Sequence, residues 1–171
     1  MGCKIDEVKI SPLSEWAACG TLIMLAEAYA LHKDNLQTRY GDFGEIFRNR
    51  MVLGGLISSA DYNHAMRGQG ELIEEFNLAM ANFDVIITAV SPGEASKINA
   101  ISKFAIVERP LLTIPFNVTG SPAMSVCCGY TGSGLPLSMQ IIGKRFDDAT
   151  VLRVADAYER ATSWRERRPL L

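Results

Sequence analysis

His32 and His64 are the side chains best suited to proton transfer or metal binding, and neither has a second ligand-type residue at metal spacing. Both read as surface or helix-face residues. Four cysteines, Cys3, Cys19, Cys127 and Cys128, lack the CxxC or Cys/His spacing of a tetrahedral zinc site and read as buried thiols. No metal is expected. No cofactor is expected either, because there is no Walker A pattern and Gly68-Gln69-Gly70 falls inside a helical pattern instead of following a strand. Ser91, Ser121 and Ser125 lack the flanking glycines of a GxSxG elbow, which argues against a Ser-His-Asp hydrolase. Glu74/Glu75 and Asp147/Asp148 are sequence neighbours, and neighbours on a helix diverge by about 100°. They read as a solvated face and as a helix N-cap, not as a general acid and base. None of these residues is assigned a catalytic role.

Composition sets the outer limits. The chain has 171 residues, 48% hydrophobic and 21% charged, enough apolar side chain for one sizeable core and a length that fits one domain over 1–171. A net charge of -2 gives no general attraction to phosphate backbones, so nucleic acid is not an expected partner. Arg165, Arg167 and Arg168 form the only dense basic cluster, read as a solvated tail. Lys4, Asp6, Glu7 and Lys9 interrupt any apolar core of a secretory leader, and no apolar run approaches the roughly 20 residues needed to span a bilayer. The expected compartment is a reducing cytoplasm, with no membrane partner.

The elements that must position any site follow from periodicity. Residues 3–10 alternate loosely and suit a short strand. Ser11 and Pro12 cap a long helix through Trp16, Ile23, Leu25 and Tyr29 that buries most of its girth. A polar Tyr-Gly-Asp turn separates it from a second helix through Ile46 and Met51, broken near Gly54 and Gly55. Ser59 or Asp61 caps a third helix through Ala65, Phe76 and Met80, weakened at Gly68 and Gly70. DVIITAV, residues 84–90, is a near-continuous apolar run and reads as an interior strand buried on both faces. Residues 91–103 read as loop, and 104–112 as either a short helix or an extended connection. Residues 123–128 and 135–142 form a hairpin through a Gly132/Gly134 turn. Asp147 then opens a last helix with an apolar stripe of Val151, Val154, Ala155, Tyr158 and Ala161, which Pro169 stops. Helices around a strand-rich centre make the fold class α/β, a mixed β-sheet flanked by helices.

TIPFNVTGSPAMSV, residues 113–126, followed by GLPLSMQIIGKRFDDATVLRVADAYE, resembles the amidase signature family. Asp61-Tyr62 with Ala65, and NFDVII at 82–87 with Ser91-Pro92, match the same family in the same order. CKIDEVKI and the helix bearing Glu27 resemble the segments that follow the family's catalytic region. The likeness spans essentially the whole chain and implies the C-terminal part of the amidase signature fold. Physically, Pro115 and Pro122 bracket Asn117 and Gly120 as a rigid lead into the strand at Ala123. Asn117 can bond its own backbone and Gly120 can take positive φ.

The resemblance implies hydrolysis of amide carbon-nitrogen bonds by a Ser nucleophile, a second Ser in a cis peptide and a Lys base. These act within a Gly/Ser-rich segment that has no match here. Lys97 and Lys103 lie in a loop, and Ser58-Ser59 reads as a helix boundary. Arg50, in Arg-Met-Val-Leu-Gly, matches the position that holds a substrate carboxylate in the glutamine-using branch. That branch has an Asp where this chain has Pro110, which argues against glutamine and against the tRNA-amidotransferase role. Ala89 and Cys127 stand where the family usually has Pro. The expectation is a single partial amidase domain that supplies scaffold and pocket wall, inactive alone, for an enzyme acting on small amides. Its partner would be an N-terminal amidase region, or a second copy meeting the same surface. The alternative is a stand-alone degenerate amidase-like module that binds or oligomerises without catalysis.

Overall fold

Pro12 ends an exposed N-terminal stretch, and α1 begins directly after it, spanning Leu13–Thr38. The computed structural model describes residues 2–98, 100, 102–109 and 111–168, with only the backbone of Ile106. The expected strand at residues 3–10 does not form: the segment has no regular structure, and Ile5 is 94% exposed. Its three aliphatic residues, Ile5, Val8 and Ile10, are too few to hold a strand against charged neighbours without a paired edge. Cys3, read as buried, is exposed for the same reason. Pro12, not Ser11, holds the N-cap position, and no side chain caps the helix. The stop expected at Pro169, like the Pro110 substitution, lies outside the described residues.

The chain divides into two compact units, one built from residues 11–73 and 96–118 and the other from 1–10, 74–95 and 119–171. In the first, α1 runs two turns beyond its last expected apolar residue and closes at a 3-10 turn, Tyr40–Asp42. Trp16 is fully buried, and its indole N–H donates to the Ser11 carbonyl at 3.2 Å, so the largest side chain of the helix carries no unpaired polar atom. Next come α2, Glu45–Met51, and a 3-10 segment, Val52–Leu56, as the glycine break predicts. Met51 joins Leu25 and Leu36 in a buried cluster, with Tyr29, Phe43, Leu53 and Ile57 packed around it. Gly54 makes this possible. A Cβ there would meet the Leu25 carbonyl and would lie 2.6 Å from the Tyr29 Cβ, so only a bare backbone can approach α1 so closely. His32 is half-buried, edge-on to Phe43 and Phe47 at 5.8 and 5.4 Å.

The third helix, α3, spans Ser59–Met80 without a break at Gly68 or Gly70. Its cap is Ser58: the Ser58 hydroxyl accepts from the Asp61 N–H at 3.1 Å, and the Asp61 carboxylate accepts from the Ser58 N–H at 3.3 Å. This reciprocal pairing is a capping box with Asp in place of the usual Glu. Two short helices complete the first unit, α4, Ala105–Glu108, and α5, Ile114–Thr119, the latter ending at its boundary. The Ile-Pro-Phe-Asn stretch, expected as a rigid lead into the strand at Ala123, is the first turn of α5. A proline is at home in a first turn, where its missing N–H has no helical partner to lose. Asn117 lies exposed on this helix.

The second unit holds a three-stranded antiparallel sheet in the order β1 (Val85–Ala89), β3 (Pro136–Gly143), β2 (Ala123–Tyr130). Gly120, at φ +66°, turns the chain from α5 toward β2, as expected of a glycine there. Helix α6, Asp148–Ala161, lies on the sheet, with Val151 and Ala155 against Val126 and Ile141 and with Val154 and Tyr158 at the margin. Asp147 caps it by accepting from the Thr150 N–H at 3.3 Å. Ala161, the last member of the expected stripe, is exposed. The strand buried on both faces is β3, whose Ile141 and Ile142 are both 0% exposed. The 84–90 run instead forms the edge strand β1, with Ile87 54% exposed. Periodicity reports the apolar character of a strand and not whether neighbours flank it on both sides. The arginine tail is exposed, as expected, with a contact to the hairpin. Arg167 lies over the Tyr130 ring at 4.1 Å, and the Tyr130 hydroxyl donates to the Trp164 carbonyl at 3.0 Å.

Gly54→Ala is expected to destabilise the chain by about 2–3 kcal/mol, because a methyl group there has to displace α1 backbone. Urea unfolding followed by far-UV circular dichroism measures this. Gly41→Ala, with open space around its added carbon, is the control and should leave the midpoint nearly unchanged.

Candidate functional site

Arg50 lies in the last turn of α2, one residue before the buried Met51 that pins the helix into its core cluster. The approach allowed by Gly54 therefore sets the height and direction of this arginine. Its Nε donates to the Lys103 carbonyl at 2.5 Å. The Lys103 ammonium in turn pairs with Glu45 at the other end of the same helix. The residue 102–104 loop is thus gripped twice, once through its backbone and once through its side chain. Ser102 adds local order by donating to Glu108 at 2.7 Å and accepting from the Phe104 N–H at 3.2 Å.

This geometry holds one edge of the Arg50 guanidinium and keeps the group half-buried. Among the described residues, no acceptor meets its two terminal nitrogens, which form the edge that matches a carboxylate or an amide carbonyl. Close by in sequence, Arg48 lies over the Tyr40 ring at 4.8 Å, and its Nε is buried without a hydrogen-bond partner among the described residues. Tyr40 is held by a hydrogen bond from its hydroxyl to Asn49 at 3.1 Å. The end of α2 is therefore strongly cationic, offset by Glu45 alone on that helix.

The other candidates divide by role. Ser58 serves the α3 cap, and its hydrogen bonds hold the Asp61 carboxyl below its ordinary range. The Tyr62 hydroxyl donates to Glu27 at 2.9 Å, which ties α3 to α1 and raises the phenol above its ordinary range. Lys103, read only as a loop residue, is a partner in the clamp. The sequence carries no signal for that, since 53 positions separate Lys103 from Arg50. His64 is exposed. Among the described residues no three His, Cys, Asp or Glu side chains gather as metal ligands, and no helix is long and apolar enough to cross a membrane.

In the second unit, the Gln140 side chain donates to the Ala89 carbonyl at 3.0 Å and fastens β3 to the end of β1. The hairpin loop is tied to the segment after β1 through Ser133, which donates to Glu94 at 2.6 Å. These contacts are structural ties, and each joins residues of one unit.

Comparison with known proteins agrees with this fold. The Amidase family model matches residues 1–152. A glutamyl-tRNA(Gln) amidotransferase subunit from Shouchella clausii is 39% identical over 141 residues, covering 78% of this chain and 29% of that protein. The corresponding protein of Bacillus cytotoxicus is 33% identical over an alignment of 198 residues, covering all of this chain and 41% of that protein. Among solved structures, a crystal structure of an amidase superposes with a TM-score of 0.81 at 21% identity, over 94% of this chain and 38% of that one. The glutamyl-tRNA(Gln) amidotransferase subunit from Thermotoga maritima gives 0.58 at 32% identity, over 85% and 33%. The chain spans less than half the length of these curated relatives.

The Glu45 carboxyl is held below its ordinary value of 4.5, first by the hydrogen bond from Lys103 and then by its charge. Its stabilising contribution is present above that ordinary value and is lost as pH falls through the lower value of the folded state. Lys103→Met is expected to move the Glu45 titration upward in a side-chain carboxyl NMR titration. It should also remove the part of the stability that wild type loses across this acid window.

Proposed function

Because the chain belongs to the amidase signature family, we propose that it forms the scaffold and one pocket wall of an amide hydrolase whose Ser nucleophile and Lys base come from polypeptide outside this sequence. The observation that carries this reading is the edge strand β1. It is apolar enough for a buried strand, yet its outer side is open and Ile87 is exposed among the described residues. An apolar edge without Lys or Pro, here of five residues, is what a sheet presents where a further strand belongs. The relatives' greater length supplies room for that strand and for the Gly/Ser-rich catalytic segment. We read residues 1–171 as a single partial amidase domain and place it in the cytoplasm, a compartment suited to its four free thiols.

In this reading Arg50 binds substrate. Its free guanidinium edge meets a carboxylate or amide oxygen of the substrate while Lys103 fixes the other edge. The substrate class is a small amide. Glutamine, the substrate of the family's glutamine-using branch, is disfavoured because Pro110 provides no negative charge for a substrate ammonium group.

The purified chain is expected to turn over none of a panel of small amides. Mixing or co-expressing it with the catalytic N-terminal portion of a family member should produce amide hydrolysis. Arg50→Ala should then raise KM about tenfold or more for carboxylate-bearing amides, with a smaller change in kcat. Turnover by the chain alone that survives a second, independent purification would overturn the division of labour. A concentration-dependent dimer that reconstitutes no activity would favour the non-catalytic interaction module instead.

A further inference from the structure

Cys127 and Cys128 are adjacent free thiols on β2. In a regular strand, successive side chains point to opposite faces, which keeps neighbouring cysteines apart. The register of β2 breaks at this point. Cys127 is opposite Ser138 and Gly129 is opposite Leu137, so Cys128 is an extra residue with no position of its own on β3. A bulge of this kind bends the strand and re-aims side chains. Each thiol has only a long, weak acceptor: Cys127 donates to the Gly129 carbonyl at 3.5 Å and Cys128 to the Leu137 carbonyl at 3.6 Å. Both are half-buried, so a small reagent can reach them while bulk solvent does not surround them. Among the described residues no third ligand-type side chain gathers with them, so they do not make a closed tetrahedral metal site there.

We propose that Cys127 and Cys128 form a vicinal dithiol that closes to an intramolecular disulfide by exchange with a small disulfide of the glutathione type. One thiolate attacks a sulfur of the small disulfide, expelling one small thiolate and leaving a mixed disulfide on the protein. The second thiolate attacks the protein-side sulfur of that bond and expels the other small thiolate. The two cysteines are oxidised, the small disulfide is reduced to two thiols, and the two protons lost by the cysteines are taken up by the leaving thiolates. Neighbouring Cα atoms are about 3.8 Å apart across a trans peptide, short of the usual disulfide span, so the closed ring is strained and readily reduced. It acts as a reversible mark and not as a structural crosslink. The effect reaches Tyr130, whose phenol is raised above its ordinary range by desolvation and then by the Cys127 thiol, and whose hydroxyl holds Trp164.

The test treats the full chain with oxidised glutathione and maps its thiols by differential alkylation and mass spectrometry, with Trp164 fluorescence recorded in parallel. The expected result is a 127–128 peptide lighter by two hydrogens, free of glutathione, and restored by dithiothreitol. Trp164 emission should shift on closure and return on reduction. Cys127→Ser and Cys128→Ser should each replace the closed form with a single glutathione adduct. The native chain should close about tenfold faster than the chain unfolded in guanidinium, which tests the bulge even where a variant folds poorly. A 127–128 peptide that stays reduced or carries glutathione while exposed Cys3 is fully glutathionylated would overturn the proposal. So would equal closure rates in native and unfolded chains.

Discussion

Gly54 against the Leu25 carbonyl is the contact on which the candidate site depends. A side chain at this position would push the 3-10 segment away from α1. Met51 would then lose its place between Leu25 and Leu36, and α2 its fixed rotation. Arg50 is one residue from Met51, so the direction of its guanidinium follows from a backbone approach with no chemistry of its own. The Lys103 clamp adds a second restraint, because its carbonyl takes one edge of the guanidinium and its ammonium returns to Glu45. Neither restraint would suffice alone, since an exposed ion pair contributes little and a short helix frays.

The sheet follows a different logic. β3 is buried on both faces and paired on both sides, and everything else in its unit is arranged by it: β1 and β2 as flanks, and α6 over Val126 and Ile141. Fully burying a side chain such as Ile141 contributes about 2–3 kcal/mol. Gln140 is the polar exception, and it is accommodated because its amide reaches the Ala89 carbonyl. The cost of this arrangement falls on β1, which carries a core-like sequence in an edge position. That mismatch links the fold to the functional reading, since a strand of this composition suits a sheet that extends further.

The two units bear on the chemistry differently. One offers a cationic helix end with a fixed arginine, suited to holding a substrate oxygen. The other offers a hairpin whose bulge interrupts the side-chain alternation at two adjacent cysteines and whose loop end is held by Tyr130, Trp164 and Arg167. Membership of the amidase signature family gives the first feature a context. The second owes nothing to that context and rests on an interrupted alternation of side chains.

Much of this was legible in residue order. The glycine break after α2, the helix boundary at Ser58-Ser59, the capped start of α6, the hairpin and the left-handed Gly120 all follow from local chemistry that acts within a few residues, as does the α/β class; the α3 cap itself is Ser58 and not Ser59 or Asp61. The family is legible too, because its motifs are short strings in a set order. Arg50 could be singled out by its neighbours in sequence, but the Lys103 and Glu45 that hold it could not, since loop closure over 53 positions leaves no local trace. The exposed 3–10 stretch, the edge position of β1 and the contact of Arg167 with Tyr130 were decided by tertiary structure for the same reason. Whether an apolar or charged segment is covered depends on which distant segments arrive beside it, and composition records only its readiness to be covered.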